Sequence, residues 1–334
     1  MKTRRRPYSD QRPTDLGGGV WSVPVPIPGN PLGYTLVYAV ESPGGIVLID
    51  AGWNHEDAWT ALRDGLATVG VNVSDLRGVV VTHYHPDHAG LAGRVREESG
   101  GWIAMHQADA DLVRLYRELA GDDGRHLQVE MMRKAGAGAD AEAMVTADRP
   151  IPPAQPDVEL QDHDLIDLPG RPLRAIWTPG HTPGHLCLHL EDTDRMFTGD
   201  HVLPGITPHI GIYPYDRSDT DPLTDYLASL DRLSVYTTTE ALPAHEWTFP
   251  DVATRAAEIH QHHEQKLITL EALLTPTPHT IWQIAEKMTW NRPWPDLTPI
   301  QRGLAAGEAA AHLRTLESRG KAHRHPNAHF STTP

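Results

Sequence analysis

The chain has 334 residues, of which 39% are hydrophobic and 22% charged, and its formal net charge is −15. This composition is typical of a globular protein, and the length suffices for one large domain and a smaller one. The acidic charge disfavours nucleic acid as a partner, because proteins that bind phosphate backbones usually carry a basic surface. Nucleic acid nevertheless stays open as an alternative, since residues 4–6 and 321–325 form two basic clusters.

The single cysteine, Cys187, excludes an intrachain disulfide and a cysteine-rich metal site. No apolar run reaches the roughly 18 residues that a membrane-spanning helix needs. The charged N-terminus is not followed by the apolar segment of a signal peptide. We therefore expect a cytoplasmic protein without a membrane partner, in which Cys187 is buried and inert.

Hydrophobic periodicity predicts alternating strands and helices over residues 19–250, which indicates an α/β domain. Residues 1–18 are polar and contain glycine and proline, so we expect a flexible arm. Residues 107–149 have an irregular helical pattern, which predicts either a helical cap over a site or a helix pair that only packs on the domain. Residues 251–334 are mostly helical and end in a basic tail or short wing. This order resembles a winged helix, although a packing or homodimerisation module is the preferred interpretation.

A dense cluster of metal-binding side chains follows an apolar strand predicted over residues 78–82. Four such side chains fall within six residues, namely His83, His85, Asp87 and His88. Pro86 stops the strand, so the four lie on a tight loop at its end. On such a loop they can point towards two neighbouring metal ions better than towards one. The alternative is a histidine-rich surface loop that binds no metal.

Three further candidate ligands stand at the ends of later predicted strands, beside small residues. These are His181 in Thr-Pro-Gly-His-Thr-Pro-Gly-His, Asp200 in Phe-Thr-Gly-Asp and His245 in Leu-Pro-Ala-His. Two zinc ions that each take four or five ligands need roughly seven protein side chains and a bridging water. The four loops together therefore predict a dinuclear metal site.

These four motifs, in this order, resemble those of the metallo-β-lactamase superfamily of metallo-hydrolases over about residues 19–248. The resemblance implies an αββα sandwich with the site at one edge, between two β-sheets. It also implies two Zn²⁺ ions, with Fe or Mn as alternatives. The implied ligands are His83, His85 and His181 for the first ion, Asp87, His88 and His245 for the second, and Asp200 as the bridge.

The same resemblance assigns supporting residues. Asp50, at the end of a predicted strand, matches an aspartate that orients a ligand histidine, and His185 matches a position behind the ligands. The helical C-terminal unit is similar to that of the branch containing β-lactamase-like protein 2, although Ala244 stands where many relatives carry glycine. Aspartate rather than cysteine at position 200 argues against the common di-zinc β-lactamases. It favours the glyoxalase II-like, lactonase, thioesterase and nuclease-like branches.

The implied reaction is hydrolysis by a bridging hydroxide, with Asp87 and Asp200 as the catalytic carboxylates and Asp87 moving the proton. The first hypothesis is a small-molecule acyl substrate, either a thioester or a lactone. The apolar loop over residues 202–213 then lines an acyl pocket, and His209 and Tyr213 contact the substrate. The second hypothesis is a phosphodiesterase or endoribonuclease of the β-lactamase-like protein 2 type. The third is a metal-binding scaffold without catalysis, against which the complete ligand set argues.

Two clusters of residues outside these motifs, one of histidines and one of tryptophans, are predicted to have no role in binding. The histidines at positions 260, 262 and 263 are predicted to lie on a mainly solvent-facing helix and to form an accidental cluster. Trp282, Trp290 and Trp294 are predicted to pack in a small C-terminal core rather than to stack on nucleic acid bases.

Overall fold

The computed structural model describes residues 7–119, 122–143, 151–213, 220–237 and 239–333. Within these residues the first sheet contains β1 (Thr14–Asp15), β2 (Val20–Pro26), β3 (Tyr34–Ser42), β4 (Gly45–Ile49), β5 (Leu76–Val80), β6 (Trp102–His106) and β7 (Val158–Leu160). The second contains β8 (Leu173–Trp177), β9 (Leu186–Leu190), β10 (Arg195–Gly199) and β11 (Glu240–Pro243). The third contains β12 (His279–Thr280), β13 (Ala322–His325) and β14 (His329–Thr332).

The described helices follow the same chain order. They are α1 (Glu56–Thr68), α2 (Pro86–Ala89), α3 (Ala92–Ser99), α4 (Gln107–Glu118), α5 (Asp122–Ala135), α6 (Asp140–Ala143), α7 (Pro222–Arg232), α8 (Val252–Glu271), α9 (Ile281–Lys287) and α10 (Pro299–Ser318). None of these helices has the length and apolar character needed to cross a lipid bilayer.

The first sheet keeps its strands in chain order, antiparallel from β1 to β4 and parallel from β4 to β7. In the second sheet the order is β11-β10-β9-β8, and β10 and β11 run parallel. Because the carboxyl ends of parallel neighbours meet at one sheet edge, β4 with β5 and β10 with β11 bring the residues that follow them together. Asp50 follows β4, and three of the four predicted ligand loops follow β5, β10 and β11.

The two large sheets pack face to face, and the period-2 alternation of β3 shows how. Tyr38 and Val40 point into the core between the sheets, where they meet Leu188 and Phe197 of the second sheet. Val37, next to Tyr38 in sequence, points to the opposite face and packs with α1. Each such fully buried side chain contributes about 1.5–3 kcal/mol through removal of apolar surface from water. The predicted sandwich is therefore confirmed for its first three layers.

Helices α7, α8 and α10 form the fourth layer, on the outer face of the second sheet. Cys187 and Met196 of that sheet belong to the same buried cluster as Leu227 of α7 and Ile259 of α8. The arrangement confirms the αββα fold. The predicted domain boundary at residue 250 lies between β11 and α8, and this hydrophobic core crosses it.

The prediction of a flexible arm over residues 1–18 is wrong at its C-terminal end. Thr14 and Asp15 pair with Ser22 and Trp21, so that β1 covers the edge of the first sheet. Edge strands expose unpaired backbone groups, and even two residues satisfy some of them. The basic cluster at positions 4–6 lies outside the described residues.

The C-terminal helices are accompanied by the small third sheet. The predicted basic tail forms β13, which pairs antiparallel with β14 in a hairpin. Trp282, Trp290 and Trp294 are partly buried against the outer-layer core, which agrees with the packing role predicted for them. The winged-helix resemblance stays a prediction.

The predicted helical cap corresponds to α4, α5 and α6, while residues 120–121 and 144–150 lie outside the described residues. Met132 of α5 and Ala141 of α6 are buried together, and Trp282 of the C-terminal unit packs against them. Arg302 of α10 also forms an ion pair of 2.9 Å with Asp140. Helices α5 and α6 therefore lie against the C-terminal unit.

The prediction of an accidental histidine cluster on a mainly solvent-facing helix is wrong for His263. Its side chain is fully buried, and its Nδ1 lies 3.3 Å from Nε2 of His312, which is also buried and hydrogen-bonds through Nδ1 to the carbonyl of Glu308. Burial lowers the pKa of His263 to about 3 and that of His312 to about 4. His263 falls at helical spacing between the buried Ile259 and Leu267, whereas its pairing with His312 of a distant helix leaves no signal in the sequence pattern.

We expect acid to destabilise the fold through this pair. Because the folded-state pKa of His263 is depressed, the stability it contributes is present above the unfolded pKa of about 6.5 and is lost as pH falls from there towards about 3. Between about pH 7.5 and pH 5.5, the free energy of unfolding measured with urea should fall less for His263→Leu than for the unmodified protein, by about 1 kcal/mol. His262→Leu, an exposed neighbour, is the control; equal losses for His263→Leu and His262→Leu would contradict the interpretation.

Candidate metal centre

The first ligand loop is anchored by Asp50, which follows β4. The carboxylate of Asp50 accepts hydrogen bonds from the backbone N–H of Thr82 at 2.7 Å and from its hydroxyl at 2.9 Å. Its other contact is with His88, whose Nδ1 lies 2.8 Å from Oδ2 of Asp50. That contact turns Nε2 of His88 away from Asp50 and towards the centre of the site. Asp50 therefore lies where the sequence placed an aspartate that orients a ligand histidine.

The proline that follows His85 begins a helix instead of only breaking a strand. Pro86 occupies the first position of α2, where its missing N–H costs no hydrogen bond. Asp87 and His88 are the next residues of this short helix, and they face the site from its first turn. The helix thus begins directly after His85, and its start carries two candidate ligands.

One group of side chains consists of His83, His85 and His181. Nε2 of His83 and Nδ1 of His85 are 3.0 Å apart. His181 donates from Nδ1 to the carbonyl of His209 at 2.8 Å, so its Nε2 faces the other two rings. Gly180 adopts φ +133°, and a Cβ there would approach the backbone of Tyr226 to 2.5 Å, so the turn before His181 requires glycine.

A second group consists of Asp87, His88 and His245. His245 follows β11 and donates from Nδ1 to the carbonyl of Tyr34 at 3.0 Å, which directs Nε2 inward. That nitrogen lies 3.5 Å from Oδ2 of Asp87, and Nε2 of His88 lies 3.7 Å from the same oxygen. The side chains come from both sheets, since β11 belongs to the second and α2 follows the first.

Asp200, after β10, lies between the two groups. Its Oδ2 is 3.5 Å from Nε2 of His181, while its Oδ1 is 3.5 Å from Nε2 of His88 and 3.2 Å from Nε2 of His245. The two oxygens of one carboxylate thus face different groups. This is the placement that a bridging carboxylate needs.

The donor set fits metal ions. Several buried polar atoms of the site have no hydrogen-bond partner among the described residues, namely Nε2 of His88, His181 and His245 and Oδ1 of Asp200. Within each group, one ligand atom per residue lies within 4.8 Å of the others. Buried polar atoms without partners are costly in an apolar environment, and a shared divalent cation satisfies them. Imidazole and carboxylate are ligands that zinc, iron and manganese all accept.

The electrostatics differ between the two groups. Burial and neighbouring imidazoles lower the pKa of His83 and His85 well below the ordinary value, so these rings are neutral and keep a lone pair for a metal. Burial also opposes protonation of His245, but Asp200 and Asp87 outweigh it and raise its pKa to about 10. Burial would raise the pKa of Asp87, yet His88 and His245 lower it to about 2. Asp87 is therefore ionised at neutral pH.

His185 lies behind Asp200, where the resemblance placed it. Its Nε2 accepts a hydrogen bond of 3.2 Å from the backbone N–H of Asp200, and its Nδ1 lies 2.9 Å from the hydroxyl of Thr178. Burial lowers its pKa well below the ordinary value. The neutral ring therefore holds the backbone of Asp200 without competing for the metal site.

Sequence reasoning missed Asp109, a fully buried residue of α4. Its carboxylate accepts hydrogen bonds from the backbone N–H groups of Tyr84 at 2.9 Å and Gly184 at 2.6 Å, and from the hydroxyl of Thr182 at 2.8 Å. It thereby joins the loop of His83 to the loop of His181. Burial raises its pKa to about 7 although the three donors act against this. The sequence around it, Ala-Asp-Ala-Asp, offers no signal that distinguishes it from exposed Asp111.

The predicted substrate contacts lie beside the first group. The side chain of His209 is engaged within the protein, with Nδ1 2.8 Å from the hydroxyl of Tyr213 and Nε2 2.9 Å from the carbonyl of Leu304. Its backbone carbonyl, rather than its ring, serves the site by orienting His181. The ring of Tyr213 lies 6.5 Å from that of His85, between centroids. A substrate contact therefore stays a prediction for Tyr213, and the structure gives the ring of His209 a structural role.

The prediction that the loop over residues 202–213 lines an acyl pocket is wrong for most of its apolar side chains. Val202 and Ile210 are fully buried in the core beneath α7 and α8. Their hydrophobicity reflects packing of the fourth layer. Ile212, near the end of the loop, does line an open groove.

The fold and the donor set define a metallo-hydrolase. Residues 30–245 match the family described as the metallo-β-lactamase superfamily, and the chain belongs to this superfamily.

Three similar proteins cover different shares of the chain. The crystal structure of the metallo-β-lactamase family protein TTHA1429 from Thermus thermophilus is 30% identical, with a TM-score of 0.81 over 95% of this chain and 100% of that one. Probable metallo-hydrolase YqjP of Bacillus subtilis is 27% identical over 86% of this chain and 89% of its own length. Acyl-coenzyme A thioesterase MBLAC2 of Homo sapiens is 31% identical over 46% of this chain, and the match spans only 49% of the length of MBLAC2.

Removal of the Asp50 carboxylate should weaken metal binding. In Asp50→Ala the ring of His88 loses its anchor, and we expect metal affinity to fall by about 10–100-fold. Zinc content after dialysis against a competing chelator, measured by elemental analysis, checks this. Asp167→Ala, which removes an exposed carboxylate paired with Arg77, should retain the metal. Equal zinc content in the two variants would show that Asp50 does not act through His88.

Asp109→Asn should destabilise the protein while preserving the shape of the side chain. The amide places an NH₂ group against one of the three donors, and an unsatisfied buried donor costs about 1–3 kcal/mol. Thermal unfolding measures the effect. Asp111→Asn, an exposed site on the same helix, should have a transition temperature close to that of the unmodified protein. An equal transition temperature for Asp109→Asn would refute the connection between the two loops.

Proposed function

We propose that this protein is a zinc-dependent hydrolase of acyl thioesters, with two zinc ions held by His83, His85, Asp87, His88, His181, Asp200 and His245. The observation that carries the proposal is the position of Asp200. Its two carboxylate oxygens face the two groups of side chains separately, at 3.2–3.5 Å from His88, His181 and His245. A single metal would leave one of these groups without a role.

Bound zinc ions would supply Lewis acidity, which polarises the acyl oxygen and lowers the pKa of an attacking water. The chain's own residues fix the geometry in which this acidity acts. Asp50, the carbonyl of His209 and the carbonyl of Tyr34 each hold Nδ1 of one ligand histidine, so the ligand nitrogens point inward before any ion arrives. Preorganised ligands avoid reorganisation at the moment of reaction.

Asp87 is the residue we assign to proton transfer. Its Oδ2 lies beside His88 and His245, and its side chain is 13% exposed, whereas both histidines are fully buried. In hydrolysis the water oxygen attacks the acyl carbon, its proton passes to Oδ2 of Asp87, and the carbon–sulfur bond breaks. The thiolate then takes up a proton from Asp87 or from solvent. An ionised carboxylate is the required starting state, and the lowered pKa of Asp87 provides it at neutral pH.

One observation and one chemical argument support a thioester as the substrate. MBLAC2, to which almost half of this chain is similar, is named as an acyl-coenzyme A thioesterase. A thiolate is also a better leaving group than an amine, so the reaction demands little of a general acid. The net charge of −15 argues against the phosphodiesterase and endoribonuclease alternatives, which need a surface that attracts a polyanion.

A substrate panel tests the proposal. The purified protein is loaded with zinc, its metal content is measured, and initial rates are compared for an acyl thioester, a lactone, bis-p-nitrophenyl phosphate and single-stranded RNA. We expect about two zinc ions per chain and the largest kcat/KM for the thioester. Preference for the lactone would change the acyl class, and preference for RNA with steep salt dependence would establish the nuclease alternative. Two bound zinc ions without hydrolysis of any substrate would favour a metal-binding scaffold.

Two aspartate substitutions separate the roles of the carboxylates. Asp200→Ala should lose zinc and activity together, because both groups lose their common ligand. Asp87→Asn should lower kcat by about 10²–10⁴-fold, because the amide cannot accept a proton, while the first group still binds zinc. Zinc content and thioesterase rate are measured on the same samples. Activity retained in Asp200→Ala would refute the dinuclear mechanism.

A further inference from the structure

A groove of about 390 Å³ lies between α5, α10 and the third sheet. Its walls include apolar side chains from separate parts of the fold, namely Met131 of α5, Ile281 at the start of α9 and Phe330 of β14. The groove is thus built jointly by the predicted cap and the C-terminal unit. None of the metal ligands lines it.

The groove and the surroundings of the metal centre share Tyr213. This side chain forms part of the groove wall, next to Ile212. It also lines a narrow cleft beside the metal centre, together with Tyr84 and His181. A molecule in the groove can therefore extend past Tyr213 towards the ligand histidines.

The polar lining of the groove is predominantly cationic. Lys134, Arg314 and Arg324 line it, and Glu130 is the acidic residue among the lining side chains. Glu130 forms an ion pair of 2.8 Å with Lys134, so it does not neutralise the two arginines. Nε of Arg314 lies 3.8 Å from Glu317, beyond hydrogen-bond length, and Arg324 has no carboxylate partner among the residues that the structure describes. A local excess of positive charge in a chain of net charge −15 favours an anionic ligand.

We propose that this groove binds the phosphate-bearing carrier of an acyl thioester, with Arg314 and Arg324 holding the phosphates. The inference rests on the proposed thioesterase function and specifies its substrate class. Guanidinium groups bind phosphate oxygens in a bidentate manner, and the apolar wall of Met131, Ile281 and Phe330 packs against the uncharged arm of the carrier. The thioester bond then lies past Tyr213, at the metal centre.

Two pairs of probes test the groove. Acetyl-coenzyme A carries phosphates, whereas acetyl-N-acetylcysteamine has the same thioester on a short carrier without them. S-ethyl coenzyme A and S-ethyl pantetheine, thioethers that cannot be hydrolysed, form the second pair and report equilibrium binding by calorimetry. We expect a KM at least about ten-fold lower for the phosphate-bearing thioester, and tighter binding of the phosphate-bearing thioether, both weakened by salt.

Substitution of the two arginines assigns the effect to the groove. Arg314→Gln and Arg324→Gln should each raise KM for acetyl-coenzyme A by about ten-fold, while kcat and the KM for acetyl-N-acetylcysteamine stay unchanged. Arg292→Gln, which removes an exposed cation of the same C-terminal unit outside the groove, is the matched control and should change neither KM.

The outcomes distinguish this inference from the function on which it rests. If both thioesters are hydrolysed with equal KM, or if the arginine variants behave like Arg292→Gln, the groove assignment is refuted and the thioesterase function stands. If S-ethyl coenzyme A and S-ethyl pantetheine bind with equal affinity, the phosphates contribute nothing to binding, and the carrier proposal is overturned. If neither thioester is hydrolysed by zinc-loaded protein, the thioesterase function fails, and the groove proposal falls with it.

Discussion

The concentration of charge at one buried sheet edge is the constraint on which the other features of the site depend. Asp87 and Asp200 are largely removed from bulk water, beside the rings of His88 and His245, and each carboxylate favours a cation near it. A proton on a histidine and a divalent metal ion are alternative ways to supply that cation. Metal uptake must therefore release protons, so the affinity of the site for metal is tied to pH through the same contacts that position the ligands.

A site whose ligands come from two sheets requires that the sheets keep a fixed relative position. Strand β3 provides this, because Leu36 donates from its backbone N–H to the carbonyl of Ala244 at 2.7 Å and the hydroxyl of Tyr38 donates to the carbonyl of Pro243 at 2.7 Å. The carbonyl of Tyr34 accepts from His245 itself. The interior tyrosines of β3 thus connect the apolar core of the sandwich to the metal centre. The contacts that hold the two sheets together therefore also place His245.

The alternation of strands and helices and the four ligand loops could be predicted from sequence, because short-range signals carry them, whereas the role of Asp50 was implied by the resemblance to a known family. Apolar runs end at His83, Asp200 and His245, and the ligands follow directly. The burial of Asp109 and the pairing of His263 with His312 could not be predicted, since both depend on residues distant in the chain. The prediction of an acyl pocket at the apolar loop after Asp200 was wrong for a related reason. Hydrophobicity shows that a side chain is buried, but it does not show whether a core or a ligand covers it.

The hydrophobic core shared by the second sheet and the C-terminal helices has a consequence for how the chain can be divided. Removal of α8 and α10 would expose Met196 and Leu227 to water, and with them much of the outer face of the sheet that carries Asp200. The C-terminal helices are thus not an interchangeable module attached to an autonomous catalytic unit. Recombination at residue 250 would give a catalytic half prone to aggregation, so the helices and the sandwich are expected to unfold together and to evolve together.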